Sequence, residues 1–208
     1  MSAGHGTVCP MTADDGFKAD LVHSLQEARD VVLLKIEGLS EYEVRRPLTP
    51  TGTNLLGLVK HLALVEVGYF SVPFGRPVGL AHPWFSDDAE DNTDMWAAAE
   101  ESREDIVAAY RRAWAQVDPT VEELPIDAPG RVPWWGPDGG AEMTLHRVLV
   151  HVIGETHRHA GHADIVRELI DGSVGNQWVG DNLPERDQAW WAAYRERLER
   201  TARDVAGG

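Results

Sequence analysis

Between positions 151 and 162 the chain reads His151-Val-Ile-Gly-Glu155-Thr-His157-Arg158-His159-Ala-Gly-His162. Imidazoles and a carboxylate gathered so closely can ligate a metal ion, exchange protons or hydrogen-bond to one another. Helical geometry narrows the choice. With His151 at zero and about 100° per residue, Glu155 falls near 40°, His159 near 80° and His162 near 20°. His157 falls on the far side, near 240°. The apolar residues Val148, Val152, Ala163, Val166 and Ile170 fall between about 60° and 120° on the same wheel. The polar stripe therefore coincides with the stripe that must face a core. A carboxylate and imidazoles turned inward need partners, because an unpaired buried charge is costly.

A divalent metal ion is one such partner. Glu155 and His159 are one helical turn apart, so their heads can meet at one ion. Two protein ligands rarely suffice, and the third must come from another helix. His61 is the natural candidate, since its neighbours Leu58, Leu62 and Val65 are apolar and turn it inward. Two histidines and one carboxylate leave a position open for water or substrate, as in catalytic zinc sites. The same set suits Ni²⁺, Fe²⁺ or Mn²⁺. Core histidines hydrogen-bonded to a neighbouring carboxylate are the alternative, and spacing alone leaves the two open.

Five helical patterns must position these residues. The first spans about 14–39, with Phe17, Leu21, Leu25, Ala28, Val32 and Ile36 on one face. The second spans about 54–70 behind an Asn54 cap and carries His61. The third is expected from about Asp94 to Val117, marked by Trp96, Ile106, Val107, Tyr110 and Trp114. The fourth, from about Glu142 to Ile170, carries the histidine cluster and closes at Gly172. The fifth starts near Pro184 and bears Trp190, Trp191, Tyr194 and Leu198. No run of alternating residues reads as a strand. The long connections around Trp84 and around Trp134-Trp135 have the length of loops that border functional sites. One helical domain over 1–208 is expected, with loose ends over 1–11 and 204–208.

Composition excludes several function classes. The net charge of −15 repels phosphate backbones and anionic membrane surfaces. No nucleic-acid partner is expected, and no apolar run approaches a membrane span. The single cysteine, Cys9, cannot form an internal disulfide and lacks the ordered setting that activates a thiol. The first residues do not read as an export signal, which makes the cytoplasm the expected compartment.

The sequence resembles the DinB/YfiT-like superfamily of metal-dependent bundle proteins, in an actinobacterial branch of unknown function. Asn54-Leu-Leu-Gly-Leu-Val-Lys-His61-Leu-Ala carries the resemblance in the second helix. In the fourth it rests on Thr144-Leu-His-Arg-Val-Leu-Val-His151, on Glu155, and on the run from Arg158-His159-Ala-Gly-His162-Ala-Asp164 through Arg167 and Asp171-Gly172. Trp134-Trp135-Gly-Pro fits as well. The resemblance implies a four-helix bundle of up-down-down-up topology, here with an added C-terminal helix and long loops. It implies three metal ligands, and His159-Ala-Gly-His162 stands where the superfamily has His-Arg-Gly-Gln-like signals. Many members have histidine where Glu155 stands; in having a glutamate there the chain resembles the N-terminal domains of mycothiol-dependent maleylpyruvate isomerases.

The resemblance further implies thiol chemistry. A low-molecular-weight thiol such as mycothiol would be the co-substrate, with one divalent ion, zinc foremost, as cofactor and a small electrophile as substrate. A metal-dependent hydrolase and a non-catalytic stress-response protein are the competing readings. His151 and His162 are candidates to orient the ligands, Arg158 to meet a carboxylate, and Trp84, Trp134 and Trp135 to wall a cavity. Asp164 and Arg167 are expected in an interhelical ion pair, Lys60 in solvent, and Trp190 and Trp191 in the core or an interface. A homodimer through the aromatic C-terminal helix is a further expectation.

Overall fold

The structure is a computed structural model and describes residues 13–79, 89–175 and 183–207. Cys9, Trp84 and the whole segment 1–11 lie outside the described residues. Among the described residues six α-helices and one small sheet form, in the order α1 (Ala13–Leu34), α2 (Glu41–Arg45), α3 (Leu55–Ser71), α4 (Arg103–Glu123), β1 (Pro129–Val132), β2 (Ala141–Thr144), α5 (Leu145–Asp171) and α6 (Gln188–Ala206). Short 3-10 turns occupy Val72–Phe74 and Thr93–Met95. The contacts divide the chain into two compact units between Val174 and Gly175.

Local chemistry sets the helix starts. Ser40 and Glu43 form a reciprocal capping box on α2. Asn54, Ser102 and Thr144 each accept a hydrogen bond from a backbone N–H in the first turn of α3, α4 and α5. These caps satisfy donors that a helix start leaves orphaned. Gly172 closes α5 in the left-handed conformation.

In the first unit α1, α3, α4 and α5 share one apolar core. Leu25 and Val32 come from α1, Leu55, Leu58, Leu62 and Phe70 from α3, Ile106, Tyr110 and Val117 from α4, and Leu145, Leu149 and Val152 from α5. Leu55–Phe74 is long and apolar enough to cross a membrane by length and composition alone, but most of it is buried inside the fold. Its apolarity serves the core, which explains why α3 is apolar nearly all round.

One buried ion cluster ties three of these helices. The Arg29 guanidinium of α1 donates from Nε to Glu66 Oε1 on α3 at 2.9 Å and from Nη1 to Asp118 on α4 at 3.0 Å. It also lies 5.3 Å above the Trp114 ring. Burial pulls the Glu66 carboxyl up to about 7, against the opposing pull of Arg29.

Three expectations need correction. The third helix begins at Arg103, not Asp94, because Ser102 supplies the cap and Asp94 enters a separate turn. Trp96 is consequently an exposed loop residue. The Pro/Gly-rich connection contains strands: β1 and β2 pair antiparallel with Val132 opposite Ala141 and Pro129 opposite Thr144. Four residues per strand are too few for alternation to stand out. Gly130 lets this hairpin close on Phe74, since a Cβ there would lie 2.6 Å from the ring. Finally, Lys60 is only 2% exposed; its Nζ pairs with Glu101 Oε2 at 2.9 Å.

Of the ion pairing expected between helices, Asp164 alone pairs outside α5; Arg167 pairs with Asp171 of α5 itself at 2.8 Å. Asp164 meets Lys35 Nζ at 2.6 Å, and Arg167 donates to the carbonyls of Lys35 and Glu37 just past α1. In the second unit Asp187 caps α6. No α6 residue is buried; Tyr194 stacks on Trp190 at 5.2 Å with ring planes 8° apart, and Trp191 packs edge-on against both.

Candidate functional site

α3 and α5 face each other along a seam that carries His61, His151, Glu155 and His159. His61 of α3 and His159 of α5 meet edge to face, ring centroids 4.9 Å apart. Eight residues further along α3, Tyr69 meets His151, which lies eight residues earlier on α5, at 4.6 Å. Ascending numbers on one helix pair with descending numbers on the other, so the two run antiparallel. At 1.5 Å per residue the two contacts are about 12 Å apart along the seam. Glu155 sits midway in sequence between His151 and His159.

The histidine end is the candidate metal centre. His159 Nε2 is 3.7 Å from Glu155 Oε2, too long for a hydrogen bond. Its Nδ1 is 3.4 Å from His162 Nδ1. Burial foremost, then the neighbouring His61 and His162, pulls His159 down to about 4. The ring is therefore neutral at pH 7 and carries a lone pair for a ligand. Its side chain is 12% exposed and that of Glu155 30%, so the pair stands between core and solvent.

His61 is fixed from the other side. Its Nδ1 lies 2.6 Å from Asp94 Oδ2, on the turn Thr93–Met95. The hydrogen bond from His61 holds the Asp94 carboxyl below its ordinary value. A carboxylate on one ring nitrogen is the arrangement metal-binding histidines commonly show, leaving the other nitrogen for the ion. In kind, His61, Glu155 and His159 fit a divalent first-row ion. Their side chains do not yet converge: among the described residues no three His, Cys, Asp or Glu groups stand close enough to hold an ion.

The other end of the seam is aromatic. Trp135 Nε1 donates to the Tyr69 hydroxyl at 3.0 Å, and the Trp135 ring packs 4.7 Å from His151. Trp134 meets Tyr69 edge-on at 5.2 Å and is half exposed. Both tryptophans follow directly from β1, so the hairpin delivers them to α3. Burial lowers the His151 pKa. His151 is thus an aromatic-cluster residue, whereas His162 is exposed and touches His159. Arg158 and His157 are exposed.

Asp94 and Tyr69 are the residues that sequence reasoning missed. Asp94 lies 33 positions from His61, in a loop with no periodic pattern, so no spacing rule could have paired them. Tyr69 lies two turns past His61 on α3, and its hydroxyl partner arrives from the unforeseen hairpin.

Comparison with known proteins adds the family. The family model described as mycothiol-S-transferase matches residues 20–172. This stretch includes α3, the Asp94 turn, the hairpin and all of α5. No protein of curated function matches the chain. With nearly the whole first unit matched, the chain belongs to the mycothiol-S-transferase family.

Proposed function

We propose that this protein transfers a low-molecular-weight thiol of the mycothiol type to a small electrophile, in the cytoplasm, with one divalent ion held by His61, Glu155 and His159. Zinc is the first choice for that ion. The helical core is read as a DinB-type bundle of up-down-down-up topology, acting as a single domain. The observation that carries the reading is the edge-to-face approach of His61 and His159 from facing helices, with Glu155 one turn away, in a chain of this family.

A bound divalent ion supplies a Lewis-acid centre beside which a thiol stays ionised at neutral pH. The chain's own residues do the rest. His159, kept neutral by burial, offers a lone pair without first losing a proton to solvent; His61 is oriented by Asp94. Glu155 offers the one negative charge among the three. Trp134, Trp135, Tyr69 and His151 offer an apolar wall about 12 Å along the seam for the body of a substrate. Exposed Arg158 offers a guanidinium for a carboxylate.

The test is a conjugation assay with mycothiol and an activated aryl chloride. Sulfur bonds to the ring carbon, chloride leaves and the thiol proton passes to solvent. Protein-dependent thioether formation, lost in His159→Ala, supports the reading. Thiol-independent cleavage of an ester with no thioether would establish the hydrolase instead, and neither activity would leave a binding protein.

A further inference from the structure

The segment after Asn92 is strapped to α3 along a single helical face. Asn54 Nδ2 donates to the Met95 carbonyl at 3.0 Å. Gly57, one turn on, has that carbonyl so close that a Cβ would lie 1.9 Å from its oxygen. Lys60 Nζ donates to the Trp96 carbonyl at 3.0 Å. His61, a turn beyond Gly57, meets Asp94. Positions 54, 57 and 61 are spaced three and four apart and so share a face. From α2, Arg45 donates to the carbonyls of Ala98 and Glu101 at 3.1 and 2.6 Å. The Ala98 N–H donates to Glu101 Oε2 at 2.7 Å. A loop held at so many points delivers its one carboxylate at His61 to a fixed place.

We propose that Asp94 is a positioning residue, clamped by Gly57 and Asn54 through the Met95 carbonyl, that fixes His61 as the Nδ1–H tautomer. A neutral imidazole carries one proton. With Nδ1–H donated to Asp94, Nε2 is the only nitrogen of His61 with a free lone pair. Gly57 matters here because any larger residue must push the turn, and Asp94 with it, off α3. The proposal deepens the metal reading, since His61 is one of its ligands, but the tautomer exists without metal and can be read separately.

The experiment uses ¹⁵N-labelled, metal-free full-length protein at a pH where the imidazoles are neutral. Two-bond ¹⁵N–¹H spectra report which ring nitrogen carries the proton, and His61→Gln identifies the His61 signals. The expected result is Nδ1–H for His61 in the wild type and in Asp94→Asn, which keeps an acceptor. Asp94→Ala and Gly57→Ala should return His61 to the Nε2–H form that predominates in water. Zinc affinity, measured against a chelator, should fall about 10- to 100-fold in Asp94→Ala. An Nε2–H wild type, or a tautomer unmoved in Asp94→Ala, overturns the proposal even if Gly57→Ala fails to fold. If the tautomer behaves as expected and no zinc binds at all, the positioning role stands and the metal reading falls.

Discussion

Replacing Arg29 by Met separates the structural weight of the buried ion cluster from its charge. Arg29 is 2% exposed and Glu66 is fully buried, so the variant leaves a carboxylate in the core without its counter-charge. Breaking a buried pair from one side costs about 3–5 kcal/mol. For a chain of this size that corresponds to a melting temperature lower by about 6–20 °C. Asp118, Arg29's second carboxylate, is half exposed, and solvent takes over its share. The double variant Arg29→Met/Glu66→Leu removes both charges and should recover most of the loss, because a well-packed apolar pair is often neutral relative to an ion pair. The loss in the single variant should also depend on pH. Glu66 is raised from 4.5 to about 7 in the fold. Its contribution is thus complete below pH 4.5 and is lost as pH rises through about 7. Without Arg29 the carboxyl rises further, so the variant keeps losing stability above pH 7 where the wild type has stopped. The gap between them should widen by up to about 1.4 kcal/mol per pH unit there. Urea unfolding at about pH 6 and about pH 9 measures it. A loss under about 1 kcal/mol at both values, or a double variant no better than the single, refutes this account of the core.

Two further outcomes follow from the seam. Tyr69→Phe removes the acceptor of Trp135 Nε1 and should cost about 0.5–1.5 kcal/mol, with a shift of the Trp135 indole N–H resonance; an unmoved resonance would show that the bond does not form in solution. His159 is lowered from 6.5 to about 4 in the fold, so its contribution is present above pH 6.5 and lost as pH falls through about 4. Metal-free His159→Gln should therefore show a shallower loss of melting temperature between those values than the wild type, and coincident acid limbs would contradict it.

Helix faces were legible in the sequence because long amphipathic segments repeat their signal over several turns. Val148, Val152, Ala163 and Val166 are buried on α5 as the wheel requires, and Glu155 and His159 share their side of the helix. The juxtaposition of His61 with His159 was legible for the same reason: both stood on inward faces. What spacing could not show was anything delivered by irregular chain. The Asp94 turn, the Lys60–Glu101 pair and the hairpin that brings Trp135 to Tyr69 join residues far apart in sequence through loops. The start of α4 was misplaced because Trp96 imitated a helical marker, while the Ser102–Asp105 cap was the true signal. Lys60 reads as a solvent residue because a lysine is rarely buried unless paired, and its partner Glu101 lies in that same irregular segment.

The claim on which the rest depends is that α3 and α5 jointly hold one metal ion. Crystals of protein prepared without chelator and supplied with zinc, measured across the zinc absorption edge, test it directly. The account predicts one anomalous peak per chain within bonding distance of His61, Glu155 and His159, absent from His159→Ala crystals. A zinc-supplied crystal with no peak there, or with those three side chains contacting only one another, would contradict it.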